Sequence, residues 1–146
     1  VLAGYFWASA ATKLDGPFSP TAGAYAQIFP RVFEAVGYDQ SQLGPFHWLV
    51  AIAGAWAEIA LPLLILLGLL TRFAALGMAG FVLVQSLTDI FGHGVETGAW
   101  FDRASDALIL DQRALWMLLL VVLVLKGAGP LSVDRLLAKA TVRLPA

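Results

Sequence analysis

Between Trp48 and Leu70 the chain runs for 23 residues with one charge, Glu58, among side chains that are otherwise apolar or small. A helix of about 20 such residues crosses the ~30 Å hydrocarbon core of a bilayer. A carboxyl at that depth costs roughly 2.5–3.5 kcal/mol on insertion scales. Glu58 is therefore paired, protonated or functional. Composition agrees with a membrane setting: the chain is 60% hydrophobic and 13% charged, against about 45–50% and about 25% in soluble domains. Such apolar content excludes disorder. The chain has no cysteine and a net charge of −1. Thiol and disulfide chemistry are excluded, and nothing favours nucleic acid as a partner.

Four apolar segments follow, and they predict an all-α, four-transmembrane-helix bundle in a single domain, 1–146. The first spans 1–14. It covers only about 21 Å as a helix, so it reads as the second half of a span whose first turns lie upstream of Val1. The others span 45–69, 71–92 and 108–127. The uncharged part of the last, Ala114 to Leu125, is short, so Arg113 and Lys126 are expected to snorkel outward at its ends. Leu69-Leu70-Thr71-Arg72 reads as a tight turn. In the first long loop Tyr25, Phe29 and Phe33 are four apart, which predicts a short amphipathic helix on the bilayer surface. Pro30 is expected to start or kink it.

Charge sets the expected orientation. The loop from Asp89 to Arg113 holds Asp89, Glu96, Asp102, Asp106 and Asp111 against Arg103 and Arg113. The tail holds Lys126, Arg135, Lys139 and Arg143 against Asp134. Excess Lys and Arg marks the cytoplasmic side. Both termini are then cytoplasmic, in the inner membrane of a bacterium, and both long loops face outward. Trp48, Trp100 and Trp116 fall at the outer interface on this reading. The tail at 131–144 reads as a basic interfacial helix.

Ala51, Gly54, Ala55 and Glu58 share one helix face, and small residues mark close contact between membrane helices. Glu58 therefore points into the bundle. Pro62 removes the N–H that would bond the Glu58 carbonyl, and Trp56 lies in the same turn. Gln85, Asp89 and His93 form a polar stripe at a spacing of four. Lys13, His47, Asp89 and His93 are placed to meet in the outer half, above Glu58. A Lys13–Asp89 or Lys13–Glu58 ion pair, or a neutral interhelical hydrogen bond from Glu58, fits the same pattern as a proton-accessible pocket in which histidine titrates. The pattern speaks against a metal or haem: it contains no H-x-x-x-H and no E-x-x-H, and both histidines stand at helix ends.

The runs Phe6 to Leu14, Ala57 to Ala75 and Lys126 to Asp134 resemble the DoxX family of small bacterial four-helix membrane proteins. The middle run is the most specific, with an acid in helix two and Gly-Leu-Leu-Thr-Arg at the following turn. Lys13, Glu58, Gly68, Thr71, Arg72 and Gly129 carry the family pattern. The resemblance implies a membrane subunit, since relatives include a small subunit of a thiosulfate:quinone oxidoreductase and partners of stress-handling proteins.

Two functions remain open. One is a non-catalytic accessory or small subunit of a larger membrane complex, or a homo-oligomer. The other is a quinone-linked redox subunit, with the quinone head between Trp56, Glu58, Gln85 and Asp89. Transport is disfavoured, because Leu63 to Leu67 and Leu118 to Leu125 leave the inner half dry.

Overall fold

The computed structural model describes residues 1–98 and 108–142, and they are mostly helical. Helix α1 spans Leu2–Ala11. A small antiparallel hairpin follows, β1 (Leu14–Gly16) with β2 (Ser19–Pro20). Helices α2 (Ala22–Ile28) and α3 (Pro30–Ala35) cover the loop. The long helices are α4 (Pro45–Leu67) and α5 (Thr71–Leu87), the latter prolonged by a π turn, Thr88–Gly92. A second π turn, Leu108–Arg113, leads into α6 (Ala114–Lys126), and α7 (Val133–Val142) closes the described chain. Pro45–Leu67 and Thr71–Gly92 are long and apolar enough to cross a membrane.

Sequence sets the ends of these helices. Pro45 opens α4 at a position where its missing N–H costs nothing. Gly68 ends α4 in the left-handed conformation, φ 65°. Its N–H donates to the Ile65 carbonyl and the Leu69 N–H to the Leu64 carbonyl, the paired bonds of a Schellman stop. A Cβ on Gly68 would stand 2.6 Å from the Ser132 Cβ. Only glycine allows α7 to dock there. Asp134 of α7 then caps α5, accepting from the Leu70 N–H (2.7 Å), the Thr71 N–H (3.0 Å) and the Thr71 hydroxyl (2.9 Å). These bonds satisfy donors that a helix start otherwise leaves orphaned.

Close helix contact comes from small side chains. Ala51, Ala55, Glu58 and Pro62 form the buried face of α4, and Thr71, Ala74, Ala75, Met78, Ala79 and Val82 that of α5. Both sets repeat at three and four residues, as one helix face requires. The core gathers Phe6 from α1, Met78 and Val82 from α5, and Trp116 and Leu120 from α6. Tyr5 and Phe6 lie 4.9 and 5.8 Å from Trp116 between ring centroids. Trp116 is thus a core residue rather than an interfacial one. Its position four residues before Leu120 puts both on the inner face of α6. Trp48 is exposed, and Trp100 lies outside the described residues.

The first loop also departs from expectation. Phe29 breaks the anticipated amphipathic helix in two, with φ −126° and ψ 54°, and Pro30 starts the second piece. Tyr25 and Phe33 are buried, packed on each other and in one cluster with Ala24 and Ala51 of α4. The aromatic face turns onto the bundle, not onto a bilayer surface. The β-hairpin was not anticipated either. It is pinned by two indole N–H groups of α4: Trp48 donates to the Phe18 carbonyl and Trp56 to the Pro17 carbonyl.

Candidate functional site

Between α1, α4, α5 and the second π turn lies a semi-enclosed cavity of about 370 Å³. Its wall is mostly apolar, with two ion pairs set into it. In the first, Lys13 Nζ lies 2.5 Å from Glu58 Oε1, with both side chains no more than 5% exposed. Lys13 reaches it by folding back along α1, where its Nζ also donates to Ser9 Oγ at 2.7 Å. In the second, Arg113 donates through one terminal nitrogen to Asp89 Oδ2 (2.5 Å) and through the other to Ser86 Oγ (3.2 Å). Both Asp89 and Arg113 stand in π turns, which re-aim side chains that a regular helix would direct elsewhere.

Several polar atoms of this wall have no partner among the described residues. Glu58 Oε2, Gln85 Oε1 and Arg113 Nε are all buried and unbonded. Buried polar atoms are nearly always satisfied, so such orphans point to a bound water or ligand group. Acceptors and a donor are both on offer. His93 stands at the cavity's edge, with Nε2 3.2 Å from the Gln27 carbonyl. That carbonyl can only accept, so the bond requires hydrogen on Nε2. Among the described residues no three metal-ligating side chains gather.

The structure therefore brings together Lys13, Glu58, Gln85, Asp89 and His93. It does not bring in His47 or Trp56. His47 packs edge-on against Phe29, with ring centroids 4.9 Å apart. Trp56 is 41% exposed and holds the hairpin. Of the two lysine pairings left open, the structure forms Lys13–Glu58, because Arg113 occupies Asp89. Arg113 itself corrects the expectation that it snorkels outward: it is 2% exposed and faces inward. Ser9, Ser86 and Arg113 were missed as site residues. The signal for Arg113 is the shortness of the apolar run after it, which means the helix begins earlier and carries the arginine inside.

Two long apolar helices around paired, buried charges define a small helical membrane protein. The DoxX family model matches residues 1–89, more than half of the chain, and the chain belongs to the DoxX family. The match contains Lys13, Glu58, Gln85 and Asp89. The third resemblance-bearing stretch, Lys126 to Asp134, lies beyond it. No curated protein and no solved structure matches the chain.

Proposed function

We propose that the chain is a four-span accessory subunit of a larger membrane redox complex and lends that complex a quinone pocket. The carrying observation is the set of unpartnered buried atoms in an apolar wall, Glu58 Oε2, Gln85 Oε1 and Arg113 Nε. An oxidised quinone presents two carbonyl acceptors, which suit Arg113 Nε–H and the remaining Nζ–H of Lys13. A quinol presents two hydroxyl donors, which suit Glu58 Oε2 and Gln85 Oε1. Largely apolar walls with a few convergent polar groups are the usual form of a small-molecule site. Electrons come from a partner subunit in this scheme, since the chain has no cysteine to carry them.

On this reading the four spans are built on α1, α4, α5 with its π turn, and the 6-residue π turn joined to the 13 residues of α6. The last of these covers about 28 Å. Arg72, Lys126 and Arg135 gather at one end of the bundle, which supports a cytoplasmic placement of both termini in a bacterial inner membrane. Exposed Leu115, Leu118, Leu119 and Val122 of α6 give a face for lipid or a neighbouring subunit.

Equilibrium dialysis of the purified protein against ubiquinone-1 in detergent tests the pocket. Saturable binding is expected, and Gln85→Leu should weaken it at least several-fold. Absence of saturable binding, or identical affinity in Gln85→Leu and Glu58→Gln, would remove the quinone reading. Orientation is read separately. Glu96→Cys gives the chain its only thiol, and a membrane-impermeant maleimide should label it from outside intact cells. Labelling only after lysis would invert the topology.

A further inference from the structure

At the end of the bundle remote from this cavity, the α4–α5 turn, the α6–α7 linker and the start of α7 enclose a second hollow of about 500 Å³. Arg72, Lys126 and Arg135 line it. The acid in its wall, Asp134, is already committed: both its oxygens accept from Leu70 and Thr71 at the start of α5. Among the described residues none of the three cations has an ion-pair partner. Arg72 lies against the linker, with its Nε 3.5 Å from where a Gly127 Cβ would stand. The Arg72 side chain thus lies alongside the α6–α7 linker in the wall of the hollow.

The rim of the hollow is apolar and uncovered. Leu70 is 56%, Phe73 76% and Leu131 100% exposed. On α7, Leu136 and Leu137 are also exposed beside Arg135. In a membrane protein such side chains meet lipid, not water. Three cations unpaired among the described residues, next to an uncovered apolar rim, match a molecule with a phosphate at one end and hydrocarbon at the other.

The geometry points to a binding site for an anionic phospholipid of the phosphatidylglycerol class between α5, α6 and α7. Its phosphate lies among Arg72, Lys126 and Arg135, and its acyl chains run along Leu70 and Phe73. Arginine presents a planar fork that matches phosphate oxygens, and lysine adds a point charge. A free phosphate would use the cations and leave the apolar rim unexplained. The site is independent of the quinone pocket and stands or falls separately from it.

The test uses the full chain purified in a non-ionic detergent and delipidated. Native mass spectrometry and thermal melting follow binding of phosphatidylglycerol, phosphatidylcholine and inorganic phosphate. Phosphatidylglycerol should bind more tightly than phosphatidylcholine, and less so at high salt. Removing one cation should weaken it about fivefold, and the triple variant Arg72→Gln/Lys126→Gln/Arg135→Gln roughly 100-fold. Arg135→Gln alone, on an exposed helix face, gives the readout should the triple variant not fold. Lys139→Gln, outside the hollow, should leave affinity unchanged. Equal binding of the two lipids would overturn the site, as would unchanged affinity in Arg135→Gln. Phosphate binding as tight as phosphatidylglycerol, or a loss in Lys139→Gln matching that in Arg135→Gln, would also overturn it.

Discussion

The Lys13–Glu58 pair offers the sharpest test of how the bundle is held. Both side chains are sealed, at 5% and 2% exposure. Removing either partner leaves a nearly buried charge without its counter-charge. The penalty has a ceiling, because a stranded group can be neutralised instead. At pH 7 an ordinary Glu costs about 3.7 kcal/mol to protonate, and an ordinary Lys about 4.6 kcal/mol to deprotonate. Lys13→Met should therefore destabilise by up to about 3.7 kcal/mol, and Glu58→Gln by up to about 4.6 kcal/mol. Both lie in the ~3–5 kcal/mol range for breaking one side of a buried pair. The double variant Lys13→Met/Glu58→Gln strands no charge, and should fall short of the sum of the singles by about 2–3 kcal/mol. The assay is SDS-induced unfolding in mixed micelles followed by far-UV circular dichroism, with the four proteins compared at one pH. Single effects that add to within about 0.5 kcal/mol would show that the two groups do not interact. The pairing described here would then be wrong.

Other parts of the fold answer to smaller changes. Arg113→Leu strands Asp89 and Ser86 and should cost roughly 3 kcal/mol or less by the same unfolding assay, since Asp89 keeps 20% exposure. Arg113→Lys should restore only part of this, as one ammonium cannot replace both arms of the guanidinium. Gly68→Ala forces a side chain into a left-handed position, at about 1–2 kcal/mol, and into Ser132. Gly80→Ala, where nothing lies within 4 Å of the new methyl, should be neutral or slightly stabilising. The Thr71 and Leu70 N–H groups hold the Asp134 carboxyl below its ordinary value of 3.8. A carboxyl lowered in the folded state stabilises above its unfolded value and loses that contribution as pH falls through the folded one. Thermal stability of the wild type should therefore decline below about pH 4, and Asp134→Asn should flatten that limb of the profile. An identical pH profile in the variant would mean that the cap contributes nothing.

Helical periodicity makes half of the site legible in the sequence. Ala51, Ala55 and Glu58 repeat at three and four residues, and a membrane helix turns its small face inward, so Glu58 had one direction to point. The same rule excludes Trp56. It lies two residues from both Gly54 and Glu58, about 200° around the helix, so closeness in sequence put it on the wrong side. Trp116 was placed by depth alone, whereas its face, shared with Leu120, decides its burial. Arg113 was hidden for another reason. Charges that flank an apolar run are normally drawn to water, and the short run after Arg113 shows that the helix begins earlier but not that a π turn aims this side chain inward. Tyr25 and Phe33 share a face, as their spacing says. What lies opposite that face is a tertiary fact, and Ala51 of α4 lies there instead of lipid.

The two ion pairs are not interchangeable braces. Lys13–Glu58 joins the end of α1 to α4, and Asp89–Arg113 joins the end of α5 to the start of α6. Each pair ties one helix to its own neighbour, and neither crosses from α1–α4 to α5–α6. Crossing contacts come from elsewhere. The α4–α5 turn is one, and the aromatic packing of Tyr5 and Phe6 on Phe81 and Trp116 is another. Tyr5 and Phe81 also line the cavity. The cavity thus sits on the seam between two internally braced helix pairs, closed on one side by rings and open in its hydrogen bonding on the others. A ligand bonded to Glu58 and Gln85 at once would add a polar link across that seam, beside the one that His93 makes to the Gln27 carbonyl. Binding should therefore stabilise the contact between the two pairs more than either pair internally, and a double-mutant comparison with and without ubiquinone-1 separates the two. Coupling between Lys13 and Glu58 should stay unchanged on binding, while the cost of Phe6→Ala should shrink.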